Sequence, residues 1–113
     1  MDKLEQYRSY IKQLLTEYAS YKSLNKTIER QFVCDTENDH YQIVNMGWDE
    51  REERRIYGCT IHIDIKDGKI WIQHNMTEIQ LGEELVRQGV PKEDIVLGFH
   101  SPFMRQFTDY AVS

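Results

Sequence analysis

The run RIYGCTIHIDIKDGKIWIQHN, from Arg55 to Asn75, places an Asp-Gly pair between two arms of β-forming residues. A two-residue type I′ turn needs positive φ at both central positions, and Asp67-Gly68 supplies residues that accept it. Ile, Thr, Tyr and Trp in the arms fit a pleated surface. A turn here sets Lys66 against Lys69, Ile65 against Ile70, Ile63 against Ile72 and Ile61 against His74. The intervening pairs are Asp64 with Trp71, His62 with Gln73 and Thr60 with Asn75. Side chains alternate across a strand, so this hairpin has one nearly all-apolar face and one mostly polar face.

The apolar face needs cover, and the start of the chain offers it. Over residues 2 to about 21, Leu4, Tyr7, Ile11, Leu14, Leu15 and Tyr18 recur at spacings of three and four, the stripe of an amphipathic helix. From Thr27 the period becomes two. Ile28, Arg30, Phe32 and Cys34 alternate with Glu29, Gln31, Val33 and Asp35, the pattern of a strand. Thr36 to Asp39 supplies turn residues, and His40 to Trp48 reads as the next strand, ended by Gly47-Trp48. Pairing across this loop sets Phe32 near Ile43 and Cys34 near Tyr41. Val33, Val44, Met46 and Trp48 then share the opposite face, which is apolar enough to predict a covering element or a second subunit. A homodimer is the expectation that follows.

Beyond the hairpin, Thr77 and Gln80 match a capping box, and Gly89 suits a left-handed helix stop. Pro91 opens a short helical turn as its first residue. Ile95-Val96-Leu97 reads as a short buried extended segment. Phe103, Phe107 and Tyr110 suit either a last helical turn or a segment laid across a partner. The expected fold is α+β, one domain over residues 1–113. It has an N-terminal amphipathic helix, a four-stranded antiparallel β-meander, a second helix and a short C-terminal extended segment.

Composition narrows the function classes. The 113 residues suit one core, and no apolar run nears the ~18 residues of a membrane span. With no apolar signal core at the N-terminus, a cytoplasmic location is expected. Cys34 and Cys59 are then expected as reduced core residues. A net charge of −5 argues against a broad basic surface for DNA. Two local groups remain as candidate phosphate contacts: Lys22, Lys26 and Arg30, and Arg51, Arg54 and Arg55. The second group is interrupted by Glu52 and Glu53, as in a solvated loop.

Catalytic and cofactor motifs are missing. His62 and Asp64 share a strand face, as a base and its orienting carboxylate would, but no nucleophile pattern completes them. Metal-ligand spacings such as C-x-x-C are absent, and the hairpin register puts His62 and His74 on opposite faces. The six glycines are dispersed and none opens a phosphate loop. No catalytic residue, metal or cofactor is therefore expected. Trp71 shares the polar face with Asp64, His62 and Gln73, where a large aromatic suits a protein contact. These four, with Trp48 and Met46, are the candidate partner-binding residues.

An ordered series of short motifs carries a resemblance over the whole chain: Gly47-Trp48, Gly68-Lys69-Ile70-Trp71-Ile72-Gln73, Thr77-Glu78, Gly89-Val90-Pro91, and Asp94 to His100. Tyr7 and Tyr10 on the first helix belong to it as well. The series resembles the cyanobacterial XisI family, the fdxN-element excision controlling factors. After Phe99-His100 the family is richer in proline, whereas this chain reads Ser101-Pro102-Phe103-Met104-Arg105. The resemblance implies a non-enzymatic regulator of programmed DNA rearrangement in heterocyst-forming cyanobacteria. It also implies partners, namely a nuclease-like XisH companion and a site-specific recombinase. It transfers no catalytic residue. The alternative expectation is direct DNA binding through the basic groups named above.

Overall fold

The computed structural model describes residues 2–21 and 27–113. Helix α1 (Lys3–Ser20) starts where the Asp2 carboxylate accepts the Glu5 N–H at 2.8 Å, satisfying one of the orphan donors of a first turn. Of the expected stripe the helix buries Tyr7, Ile11, Leu14 and Leu15, while Leu4 and Tyr18 are partly buried against the core. Strands β1 (Ile28–Asp35), β2 (His40–Asp49), β3 (Arg54–Lys66) and β4 (Lys69–Asn75) form the antiparallel meander. Helix α2 (Leu81–Gln88), a 3₁₀ turn at Lys92–Asp94, strand β5 (Ile95–Leu97) and a short helix α3 (Pro102–Arg105) follow.

The expected sheet is one strand short. β5 joins β4 in parallel, pairing Ile70 with Ile95 and Ile72 with Leu97, so the sheet is five-stranded and mixed in the order β1-β2-β3-β4-β5. The connection through α2 makes this possible, because parallel neighbours need a crossover. Ala111 then pairs with Val96 on the outer edge of β5, its N–H donating to Ile95 O at 2.9 Å.

The turn forms as expected, with φ of 53° at Asp67 and 77° at Gly68. Pairing follows the expected register from Lys66–Lys69 down to Ile63–Ile72, then slips by one residue. His62 lies opposite His74, and Ile61 opposite Asn75. The expected pairs Ile61–His74, His62–Gln73 and Thr60–Asn75 are thus corrected, since Gln73 is the extra residue of a β-bulge. The β1–β2 register is the expected one, with Phe32 opposite Ile43 and Cys34 opposite Tyr41. β2 runs on past Gly47 to Asp49. Gly47 is there because a Cβ would come within 2.0 Å of Thr27 O.

One core lies between the inner sheet face and the helices. Tyr41, Ile43, Ile61, Ile63, Ile65, Ile70, Ile72 and Ile95 meet Tyr7, Ile11, Leu14 and Leu15 of α1 and Leu81 and Leu85 of α2. Each fully buried aliphatic side chain here contributes about 1.5–3 kcal/mol. Asp94 is buried at its margin, where it accepts from the Tyr7 hydroxyl and pairs with Lys3 Nζ at 2.8 Å. Cys34 departs from expectation, being exposed, while Cys59 is half-buried; both are free thiols.

The start of α2 also departs from expectation. Gln80 occupies the cap position without a side-chain bond, and Thr77 Oγ1 accepts the Ile79 N–H at 3.2 Å, outside the helix. Asn75 organises the turn instead. Its Oδ1 accepts from the Thr77 N–H and hydroxyl, and its Nδ2 donates to Ile79 O at 2.8 Å. Gly89 is the left-handed stop at φ 119°. Pro91 precedes the 3₁₀ turn as its cap instead of forming its first residue.

Candidate functional site on the outer sheet face

Cross-strand partners point to the same side of a sheet. The face turned away from α1 therefore carries His40 and Asp64, then Gln42 and His62, then Val44 and Cys59, then Met46 and Tyr57, then Trp48 and Arg55. Val33 extends it on β1 and Trp71 on β4. One end is polar and the other apolar.

At the polar end His40 Nδ1 and His62 Nε2 each lie 2.8 Å from the same oxygen, Asp64 Oδ1. The Gln73 amide donates to Asp64 Oδ2 at 3.2 Å, and the Gln42 amide nitrogen lies 3.3 Å from His62 Nδ1. Burial pushes the Asp64 carboxyl up, but the hydrogen bonds from His40 and His62 outweigh it and leave its pKa below the ordinary value. The Asp64 bond raises the pKa of His40 against a smaller desolvation effect. Sequence reasoning placed His62 and Asp64 together but missed His40, because nothing in the sequence revealed the β2–β3 register. It also separated His62 from His74, and the bulge at Gln73 reverses that by setting them opposite each other. Among the described residues, surface concavities lie along α1, between α1 and Ile79, and beside Tyr110, and none of these is lined by His62 or Asp64. Among the described residues, no hydroxyl or thiol is hydrogen-bonded to the cluster.

Trp71, expected as an interface anchor, is covered by side chains of its own chain. It is 9% exposed, with Arg105 of α3 stacked 5.2 Å and Lys66 4.4 Å from the ring centroid. Arg105 is held there by the carbonyls of His100 and Gly98. At the apolar end Trp48 is 52% and Tyr57 70% exposed, with Met46 half-buried between them.

Among the described residues, the basic candidates do not gather into one patch. Arg30 donates to Tyr21 O and stacks on Tyr18. Arg55 stacks on Trp48, and Arg54 pairs with Glu52 at 3.8 Å. Arg51 lies in the exposed turn between β2 and β3, while Lys22 and Lys26 fall outside the described residues. No helix of the described residues is long and apolar enough to cross a membrane.

Comparison with known proteins agrees with this architecture. A family model for XisI protein matches residues 1–112. The crystal structure of a XisI-like protein from Anabaena variabilis is similar over 99% of this chain and 100% of its own, at 50% identity and a TM-score of 0.89. The crystal structure of the fdxN element excision controlling factor XisI from Anabaena variabilis is 33% identical with a TM-score of 0.85, over 99% and 100% of the two chains. No curated protein matches the sequence. On the extent of the family match and the shared fold, the chain belongs to the XisI family.

Proposed function

We propose that this protein is a non-enzymatic regulatory factor that controls the site-specific excision of a DNA element through contacts with other proteins. The full-length likeness to a protein named as an excision controlling factor carries this reading. The outer face supports it, because a sheet face bearing exposed Trp48, Tyr57 and Val33 beside half-buried Val44 and Met46 calls for a protein cover. A nuclease-like XisH companion or a recombinase is the partner implied by the family, and a second copy of this chain is the other occupant of that face. Direct DNA contact is the weaker reading, since the candidate arginines are split between stacking partners and a turn rich in acids.

The test is a pull-down with purified companion and recombinase, using the wild type and a Trp48→Lys/Tyr57→Lys variant. Both side chains are more than half exposed, so the variant should fold normally. Retention of a partner by the wild type and its loss in the variant is the expected result. Retention of neither protein by the wild type would sink the reading. Duplex binding that falls steeply with salt would favour phosphate contacts instead.

A further inference from the structure

We propose that His40, His62 and Asp64 form a binding site for a divalent transition cation, zinc foremost, on the outer sheet face. The three residues offer Nδ1, Nε2 and a carboxylate oxygen, all within 4.8 Å of one another. Zinc bonds of about 2.0–2.2 Å in a tetrahedron place ligand atoms ~3.3 Å apart. The observed 2.8 Å separations to Asp64 Oδ1 need only a small opening, and His40, whose side chain is 56% exposed, is free to make it. A cation would take the place of the hydrogen bonds that link His40 Nδ1 and His62 Nε2 to Asp64 Oδ1.

The surroundings match those of a ligand set. Metal-binding imidazoles and carboxylates are oriented by hydrogen bonds to their remaining polar atoms. Gln73 holds the other oxygen of Asp64, and Gln42 lies beside the other nitrogen of His62, where turning its amide would set the oxygen to accept the Nδ1–H of a metal-bound ring. The bulge at Gln73 supports this arrangement by adding a residue to β4 beside the site. All three ligands stand on paired strands, so their backbone separation is fixed by the sheet. Two imidazoles and one carboxylate favour zinc and its neighbours over magnesium or calcium, which prefer all-oxygen sets. Three protein ligands leave a coordination position for water, on the solvent side of His40.

Isothermal titration of chelator-treated full-length protein with Zn²⁺, with Mg²⁺ as the comparison, tests the site. One Zn²⁺ per chain is expected, with no Mg²⁺ binding. Affinity should fall about tenfold or more in His40→Ala, His62→Ala and Asp64→Asn, and by a smaller factor in Gln73→Ala. Circular dichroism checks that each variant is folded, and exposed His40 gives the variant least able to unfold the sheet. Histidine ring signals in NMR should shift for His40 and His62 while that of His100 stays in place. Cys34→Ser should leave affinity unchanged. Absence of stoichiometric Zn²⁺ binding overturns the proposal. So does binding that survives in folded His40→Ala and His62→Ala, or that is lost in Cys34→Ser.

Discussion

Asp94 shows how much a single side chain can settle, and how little of this is visible in sequence. It is buried yet charged, with Tyr7 and Lys3 as its partners from the far end of the chain. Burial pushes its carboxyl up, but the Lys3 and Tyr7 hydrogen bonds outweigh this and hold its pKa below the ordinary value. The unfolded chain therefore takes up this proton first as the pH falls. Asp94 contributes its full stabilisation above the ordinary carboxylate pKa of about 3.9, and loses it as the pH drops through the lower folded value. Asp94→Asn should cost about 1–3 kcal/mol at neutral pH, the scale for hydrogen bonds to a charged group. It should also flatten the acid side of the stability profile, as measured by urea midpoints between neutral and strongly acidic pH. An acid profile as steep as that of the wild type would assign the loss to other carboxylates. Tyr7 was legible as a helix-stripe residue, but its hydroxyl's partner lies 87 residues away, beyond any local pattern.

Among the elements, those set by local chemistry were legible. The α1 stripe, the Asp67-Gly68 turn, the Gly89 stop and the β1–β2 register all follow from spacing and turn residues. What sequence missed depends on contacts between strands. The bulge at Gln73 shifts half a hairpin by one residue, and three-residue β5 is too short to announce a parallel pairing. The His40–Asp64 pairing belongs to the same class, which is why the candidate site was only two-thirds visible. The α2 start is a case of matching letters with different geometry: Thr77 and Gln80 have capping-box spacing, yet Asn75 binds both ends of the turn. Asn75→Ala should destabilise the fold by about 1–2 kcal/mol by orphaning part-buried polar groups, whereas Gln80→Ala should be nearly neutral. Thermal or urea unfolding of the two variants distinguishes them, and equal losses would restore the capping-box reading.

At the scale of the whole molecule, a single core faces the helices while the outer face is left partly open. Sedimentation velocity over a concentration series should show reversible association of the wild type and a monomer for Trp48→Lys/Tyr57→Lys. A strictly monomeric wild type would leave this face to a different protein. The two edges of the sheet are treated differently. β1 carries Glu29, Arg30 and Asp35 along its length, while β5 is covered by the pairing of Ala111 with Val96. Deleting residues 111–113 keeps Tyr110, which packs on the core, but strips β5 of this cover. Light scattering of that variant should rise with concentration and time, and a flat trace would show that β5 is too short to recruit another strand. Unpaired strand edges are the usual starting points for aggregation. The bridge at Ala111 thus acts as a built-in stop to sheet growth at the β5 edge, leaving side chains instead of backbone groups to meet whatever approaches that side.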